Sequence, residues 1–170
     1  MTTGWKTAFL RKGESDFKIY AKLKNQQEIE PCHYLHYLQM AAEKIGKSLT
    51  CPNESIQPPE NHYGLTKWLK HAKAGSAHQG LMKICKIKKK ADFRAYLQGL
   101  IHFALQIECL APAIAKKHGS GPNAEYPWQD PRSAIIHIPA DHPFSGILES
   151  PKYIKLVRFI EASIDFGKLT

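Results

Sequence analysis

The sequence has no long apolar run. No window reaches the ~18 consecutive apolar residues that a membrane-spanning helix needs. Residues 1–13 also lack the long apolar core of a secretory signal peptide. Both absences argue against membrane insertion and secretion, so we expect a soluble, cytoplasmic protein with no membrane partner.

Paired cysteines are also lacking. The four cysteines are far apart and form no Cys-x-x-Cys pair: Cys32, Cys51, Cys85 and Cys109. Disulfides are rare in proteins that are not secreted, and free cysteines among apolar residues behave as small hydrophobic side chains. We therefore predict buried thiols rather than disulfides.

Recognisable metal and phosphate-loop motifs are missing too. Residues 32–36 and 137–142 each concentrate histidine with cysteine or aspartate, but neither segment has an established zinc spacing. The Gly-Ser-Gly-Pro run at 119–122 is typical of a turn rather than of a loop that binds phosphate. We expect no metal site and no bound cofactor.

Positive charge is what the sequence does have. Its 24 Lys and Arg residues against 15 Asp and Glu give a formal net charge of +9. Such a charge attracts anions and favours nucleic acid or an acidic protein as a partner, although it also fits a simple role in solubility. The length of 170 residues predicts a single globular domain over 1–170.

Apolar residues at spacings of three and four predict an all-α fold. We predict helices over residues 14–27, 31–49, 65–72, 93–111 and 151–164, with shorter pieces near residues 5–9 and 77–85. Gly13 is expected to separate residues 5–9 from the first helix. Pro31 and Pro151 suit first helical positions. Glu43 and Lys47 are expected to form an ion pair on the solvent side of the second helix.

A different pattern holds between residues 119 and 149. This stretch has five prolines and also carries Tyr126, Trp128 and Phe144. Aromatic residues are uncommon in disordered tracts, and so long a connection inside a compact domain is commonly functional. We predict that this Pro- and aromatic-rich loop folds back over the helices and contains one short strand within residues 133–138.

The second helix contains the most distinctive run. Residues 39–44 read QMAAEK, preceded by aromatic residues and followed by Ile45 and Leu49. This pattern resembles the second helix of HEPN domains, the helical domains named for higher eukaryote and prokaryote nucleotide-binding proteins. Other parts agree in order, including the short helix at 65–72, the long fourth helix and a Tyr126-Pro127 dipeptide before the last helix.

The resemblance implies an up-and-down bundle of four to five helices, with the long loop before the last one. HEPN domains are often dimeric and act in RNA cleavage, or beside a nucleotidyltransferase in defence and toxin–antitoxin modules. The resemblance therefore implies RNA, a nucleotide or a nucleotidyltransferase as the partner, and a homodimer as the assembly.

Ribonuclease members of that family carry an Arg, four to six intervening residues and then a His. Arg132 and His137 have this spacing, and they could supply the cation and the proton-transfer group for metal-independent RNA cleavage. Active members keep the motif on a bundle helix, whereas this pair lies in the Pro-rich segment. Side chains five positions apart on an extended strand also point to opposite faces. We therefore predict a non-catalytic domain, with a divergent ribonuclease using Arg132 and His137 as the alternative.

Basic residues before and on the fourth helix are candidates for binding RNA or a nucleotide. The densest stretch holds Lys83, Lys86, Lys88, Lys89, Lys90 and Arg94. Such clusters bind phosphate without sequence preference. The plainer interpretation is a solvated turn.

A polar row on the fourth helix is a second candidate. Arg94, Gln98, His102 and Gln106 follow one another at i+4. Arg94 and His102 would lie about 12 Å apart along the axis and could flank one phosphate backbone. If a pocket exists, we expect Tyr126, Trp128 and the 132–137 loop to lie over this helix. The third hypothesis is a structural dimerisation domain whose charge serves solubility.

Overall fold

The computed structural model describes residues 4–51, 53–58, 62–74, 78–119, 121–130 and 132–169. Within them the chain is mostly helical, as predicted. The helices are α1 (Trp5–Lys24), α2 (Pro31–Thr50), α3 (Gly64–Ala74), α4 (His78–Ile84), α5 (Lys90–Glu108), α6 (Pro112–Ala115), α7 (Ser145–Leu148) and α8 (Pro151–Leu169). Two short strands, β1 (Trp128–Gln129) and β2 (Ile136–His137), form an antiparallel pair.

Helix α2 lies at the centre of the fold. It packs against α1, α3, α5 and α8, and its apolar stripe of Leu35, Leu38, Ala42 and Ile45 is fully buried. Full burial of a Leu or Ile side chain contributes about 1.5–3 kcal/mol. The helix begins at Pro31, as predicted. Its stripe therefore anchors four other helices to one core.

The predicted break at Gly13 is wrong. Helix α1 runs without interruption from Trp5 to Lys24. Gly13 is buried where α1 meets α2, and a Cβ atom there would lie only 2.7 Å from Cδ1 of Ile45. The glycine therefore permits close packing of two helices and does not end one of them.

The segment 119–149 folds back onto the core, as predicted. Phe144 is buried in the core cluster, and the N–H of Ala124 donates to the carbonyl of Leu110 at 3.0 Å. The strand predicted within residues 133–138 is confirmed only for Ile136–His137, and it has a partner, β1, that we did not predict. Trp128 lies opposite His137 across this pair.

No single helix among the described residues has the length and apolarity needed to cross a membrane. Helix α5 and residues Pro112–His118 would meet that test only as a pair, and they are bent by 108° relative to each other.

Candidate functional site

Lysines converge on one cavity at the junction of α4 and α5. This cavity of about 480 Å³, here called the lysine cavity, is lined by Gln79, Met82, Ile87 and four lysines: Lys83, Lys86, Lys88 and Lys90. None of the described residues that line it is acidic. Four lysines lining one cavity, with no acidic residue among its described lining, favour anions such as phosphate.

The turn after α4 brings these lysines together. The N–H of Lys86 donates to the carbonyl of Lys83 at 3.1 Å, and the N–H of Ile87 donates to that of Met82 at 2.9 Å. These two bonds end α4 in a Schellman motif, which needs a left-handed residue after the helix. Lys86 takes that position with φ of 56°. A non-glycine residue there costs about 1–2 kcal/mol.

The predicted basic stretch only partly coincides with the cavity. Lys88 and Lys90 line it, as do Lys83 and Lys86. Lys89 lies between two lining residues in the sequence but does not line the cavity itself. The density of positive charge in this stretch was visible in the sequence. That Met82 and Ile87 also line the cavity was not visible there.

The predicted polar row on α5 is exposed along its length: Arg94, Gln98, His102 and Gln106. Arg94 follows Lys90 by one helical turn and does not line the lysine cavity. His102 and Gln106 lie at the other end of the row and line a second cavity. The four residues of the row therefore do not form one site. Two of them, His102 and Gln106, belong to a second cavity.

The second cavity, here called the α5 pocket, lies between the C-terminal half of α5 and residues 115–147. It has a volume of about 390 Å³. Helix α5 contributes His102, Leu105 and Gln106, Cys109 follows directly after it, and the opposite wall includes His118, Pro122, His142, Phe144 and Ile147. Its described lining contains no Lys, Arg, Asp or Glu. Imidazoles and one carboxamide are its main polar groups.

Neighbouring side chains contact two of the imidazoles of the α5 pocket, His118 and His142. The hydroxyl of Tyr63 hydrogen-bonds Nε2 of His118 at 3.2 Å. The ring of His142 packs edge-on against Phe144, with centroids 4.7 Å apart, and against Trp128 at 5.2 Å. Burial lowers the pKa of His142, and the neighbouring His137 lowers it further, which favours the uncharged form of this ring.

A pocket does lie over this helix, but the residues that we expected there do not line it. Tyr126 is 62% exposed, and neither Tyr126 nor Trp128 lines the α5 pocket. Pairing of β1 with β2 leaves residues 132–136 exposed, and residues 142–147 take the place over α5. His118, His142 and Phe144 were missed because their convergence depends on the path of the whole segment.

The predicted catalytic pair occupies two ends of the β1–β2 hairpin. Arg132 is exposed in the turn, where its N–H donates to Oδ1 of Asp130 at 2.7 Å. The ring of His137 stacks on Trp128, with centroids 5.2 Å apart. The N–H groups of Arg132 and Ser133, followed by the nearby His137 and Arg132 side chains, lower the pKa of Asp130. An exposed carboxylate therefore accompanies both residues.

The run at 39–44 supplies two buried polar side chains. Gln39 is 1% exposed and Glu43 is 2% exposed. The predicted ion pair of Glu43 with Lys47 is present at 2.9 Å, but its predicted place on the solvent side is wrong. His62, whose Nδ1 lies 2.8 Å from Glu43, and helix α3 cover this face. Burial raises the pKa of Glu43, but hydrogen bonds from Lys47 and His62 outweigh it and bring the pKa to about 2.

Glu108 is a second buried carboxyl, at the end of α5. Its Oε1 accepts hydrogen bonds from the N–H groups of Leu65 at 2.8 Å and Thr66 at 3.3 Å. Burial, together with the charge of Glu43, raises the pKa of Glu108 to about 7. Because both carboxyls are inaccessible to solvent, we assign them to the stability of the fold.

The thiols are free. Cys32 and Cys51 are buried, which confirms the prediction for them, whereas Cys85 and Cys109 are half-buried. The described part of the chain holds no group of three or more His, Cys, Asp or Glu side chains placed to bind a metal ion. Cys109 instead contributes to the wall of the α5 pocket.

No protein-family model, no curated protein and no solved structure matches this chain. The resemblance of residues 39–44 to HEPN domains therefore stays a prediction from the sequence. Any function assigned to the chain rests on the geometry of its own residues, and first of all on the lysine cavity.

Proposed function

We propose that this chain is a HEPN-like, non-catalytic domain that binds single-stranded RNA through the lysine cavity. In this proposal the five longer helices form the up-and-down bundle that the resemblance implies. The RNA is held by its phosphates, so binding has little sequence preference.

The convergence of four lysines on one cavity is the observation that carries the proposal. Solvated lysines normally spread over a surface, because like charges repel. Here Lys83, Lys86, Lys88 and Lys90 surround one space of about 480 Å³ with no acidic residue among its described lining. Contacts of this kind release counterions from nucleic acid and give affinity that depends strongly on salt.

The backbone of Lys86 supports the same proposal. A glycine would take its left-handed conformation without steric cost. A lysine at φ of 56° lowers the stability of the helix end and at the same time adds a charge to the cavity. Strained positions of this kind are commonly functional.

The hairpin supports a non-catalytic assignment. Arg132 lies in the exposed turn, His137 stacks on Trp128, and the carboxylate of Asp130 lies near both. A negative charge beside the pair disfavours the phosphate that a ribonuclease must bind. If the wild type cleaves RNA and the variant His137→Ala does not, the ribonuclease alternative is restored.

A protein partner also belongs to the proposal, either a nucleotidyltransferase or a second copy of this chain. The hairpin offers an apolar surface for it, because Ile135, Ile136 and Ile138 are each more than half exposed. Sedimentation of the wild type and of Ile136→Ser tests the homodimer. Co-purification with a nucleotidyltransferase encoded nearby tests the other partner.

RNA binding is tested by fluorescence anisotropy with a labelled single-stranded RNA at a series of salt concentrations. We expect the double variant Lys86→Gln, Lys88→Gln to bind more weakly than the wild type. Its slope of log affinity against log salt should become shallower by about 1.4, since each phosphate contact on a single strand contributes about 0.7.

The matched control is Lys22→Gln, Lys67→Gln, which removes the same charge from exposed positions on α1 and α3. Equal losses in the two double variants would mean that net charge alone attracts RNA. Absence of binding at low salt would contradict the proposal outright.

A further inference from the structure

We propose that the α5 pocket binds a small, uncharged heteroaromatic molecule. The site is separate from the lysine cavity, and the proposal holds whether or not the chain binds RNA. Lys90 lines the lysine cavity and His102 lines the α5 pocket. Twelve residues of helix place these two positions about 18 Å apart along the axis.

The size and walls of the pocket suit a flat, largely apolar molecule. Its volume of about 390 Å³ falls in the range of about 300–1,000 Å³ that is usual for small-molecule sites. Leu105, Phe144 and Ile147 supply apolar contact from both sides. The edge-on contact between Phe144 and His142 leaves ring surfaces of a kind that aromatic ligands pack against.

The polar groups of the pocket suit heteroatoms without charge. A neutral imidazole has one donor and one acceptor, and a carboxamide has both. His102, His118, His142 and Gln106 therefore match the ring nitrogens and the carbonyl or amino groups of a heteroaromatic ligand.

The absence of Lys, Arg, Asp and Glu from the described lining disfavours charged ligands. The chain as a whole has a net charge of +9, yet no lysine or arginine is among these lining residues. A charged ligand would lose its hydration here without gaining a counter-ion, which is costly. A nucleotide, with its phosphates, is thus a poor fit for this pocket.

The site is also held in shape before any ligand binds. Tyr63 fixes the ring of His118 through a hydrogen bond of 3.2 Å. His142 is held between Trp128 and Phe144. Groups that are already ordered lose little entropy when a ligand binds, which increases affinity.

Two ligands of the same shape and different charge test the proposal. Indole-3-acetamide is neutral and indole-3-acetate is an anion, and the two are nearly isosteric. Each is titrated into isotopically labelled protein, and the shifts of the Ile147 methyl groups and of the His102 and His142 rings are followed by NMR at about pH 8, where histidine side chains are generally uncharged. We expect saturable shifts at these residues with the acetamide, and an affinity for the acetate at least about tenfold lower.

Two variants and one control complete the test. Leu105→Trp fills the pocket and should abolish the shifts, whereas Ala95→Trp, at an exposed position of α5 outside the lining, should leave them unchanged. Gln106→Ala alters an exposed side chain and should weaken binding by about fivefold without affecting the fold. Equal affinity for the two ligands, shifts centred elsewhere, or no saturable shifts with the acetamide would each overturn the proposal.

Discussion

Glu108 accepts a 2.8 Å hydrogen bond from the backbone N–H of Leu65, so a carboxyl at the end of α5 caps the start of α3. The first N–H groups of a helix have no partner within the helix, and a buried end must find one elsewhere. Glu108 supplies it across 43 residues of sequence. The same carboxyl is shielded from solvent, which makes its protonation a determinant of stability.

Glu108→Gln should change how stability depends on pH. The folded-state pKa of about 7 lies above the value of 4.5 for the unfolded chain, so the folded state binds the proton more tightly. The free energy of unfolding should therefore fall by roughly 3 kcal/mol as the pH rises from 4.5 to 7. The glutamine keeps the acceptor for Leu65 but does not titrate. Urea denaturation of both proteins across this range should show a flatter profile for the variant, and parallel profiles would refute the assignment.

Glu43→Gln should destabilise the protein strongly at neutral pH. The change leaves Lys47 and Lys44, which are 12% and 16% exposed, without their carboxylate. We expect a loss of about 2–4 kcal/mol. Because the pKa of Glu43 is lowered to about 2, the contribution is present above pH 4.5 and disappears as the pH falls toward 2.

Glu14→Gln is the matched control for Glu43. Glu14 also contacts two lysines, Lys18 and Lys168, each at 2.9 Å, but near the surface. Its loss should cost about 1 kcal/mol or less. Thermal or urea denaturation at neutral pH checks both variants, and similar losses would show that burial of Glu43 does not matter.

Gly46→Ala should disrupt the contact of α2 with α3. A Cβ atom at Gly46 would overlap the backbone of Gly64 and Leu65, and backbone cannot rotate away as a side chain can. We expect a loss of about 3 kcal/mol or more. Gly99→Ala is the control on α5, where a Cβ meets nothing within 4 Å, and it should stabilise by about 0.5–1 kcal/mol. Denaturation midpoints that move together would contradict this view of the interface.

Lys86→Gly should separate stability from function. Glycine relieves the left-handed strain at this position, so stability should rise by about 1 kcal/mol. The affinity for single-stranded RNA should fall, with a salt slope shallower by about 0.7. Lys89→Gly is the comparison, because Lys89 has an ordinary φ of −99° and does not line the lysine cavity. It should lose a little stability and keep most of the affinity, as urea denaturation and anisotropy can measure.

Features that depend on neighbours in sequence were predictable. Pro31 marks the start of α2 because its ring suits a first helical position, whatever surrounds it. The apolar stripe of α2 followed from its periodicity. Lys88 and Lys90 were identified by charge density alone, although the cavity that they line was not.

Features that depend on contacts between residues far apart in the sequence could not be predicted. A glycine such as Gly13 is typical of a break between helices. Only its closeness to Ile45 in the structure shows that it allows two helices to pack closely. Glu43 and Lys47 have the spacing of an ion pair on a helix surface. The burial of Glu43 depends on α3 and His62, which are distant in the sequence. The α5 pocket combines residues from α5 with His118 and His142, whose approach is set by the turns of the segment 119–149. No local pattern encodes that approach.

Trp128 stacks on His137 and contacts His142, which in turn lines the α5 pocket. A protonated imidazole in contact with an indole quenches its emission, whereas a neutral one does so weakly. We expect the fluorescence of Trp128 to fall when His142 gains a proton, and to change when a bound molecule moves the ring of His142. The fluorescence of Trp128 would thereby report on the protonation of His142 and on ligand binding in the α5 pocket, although Trp128 does not line that pocket.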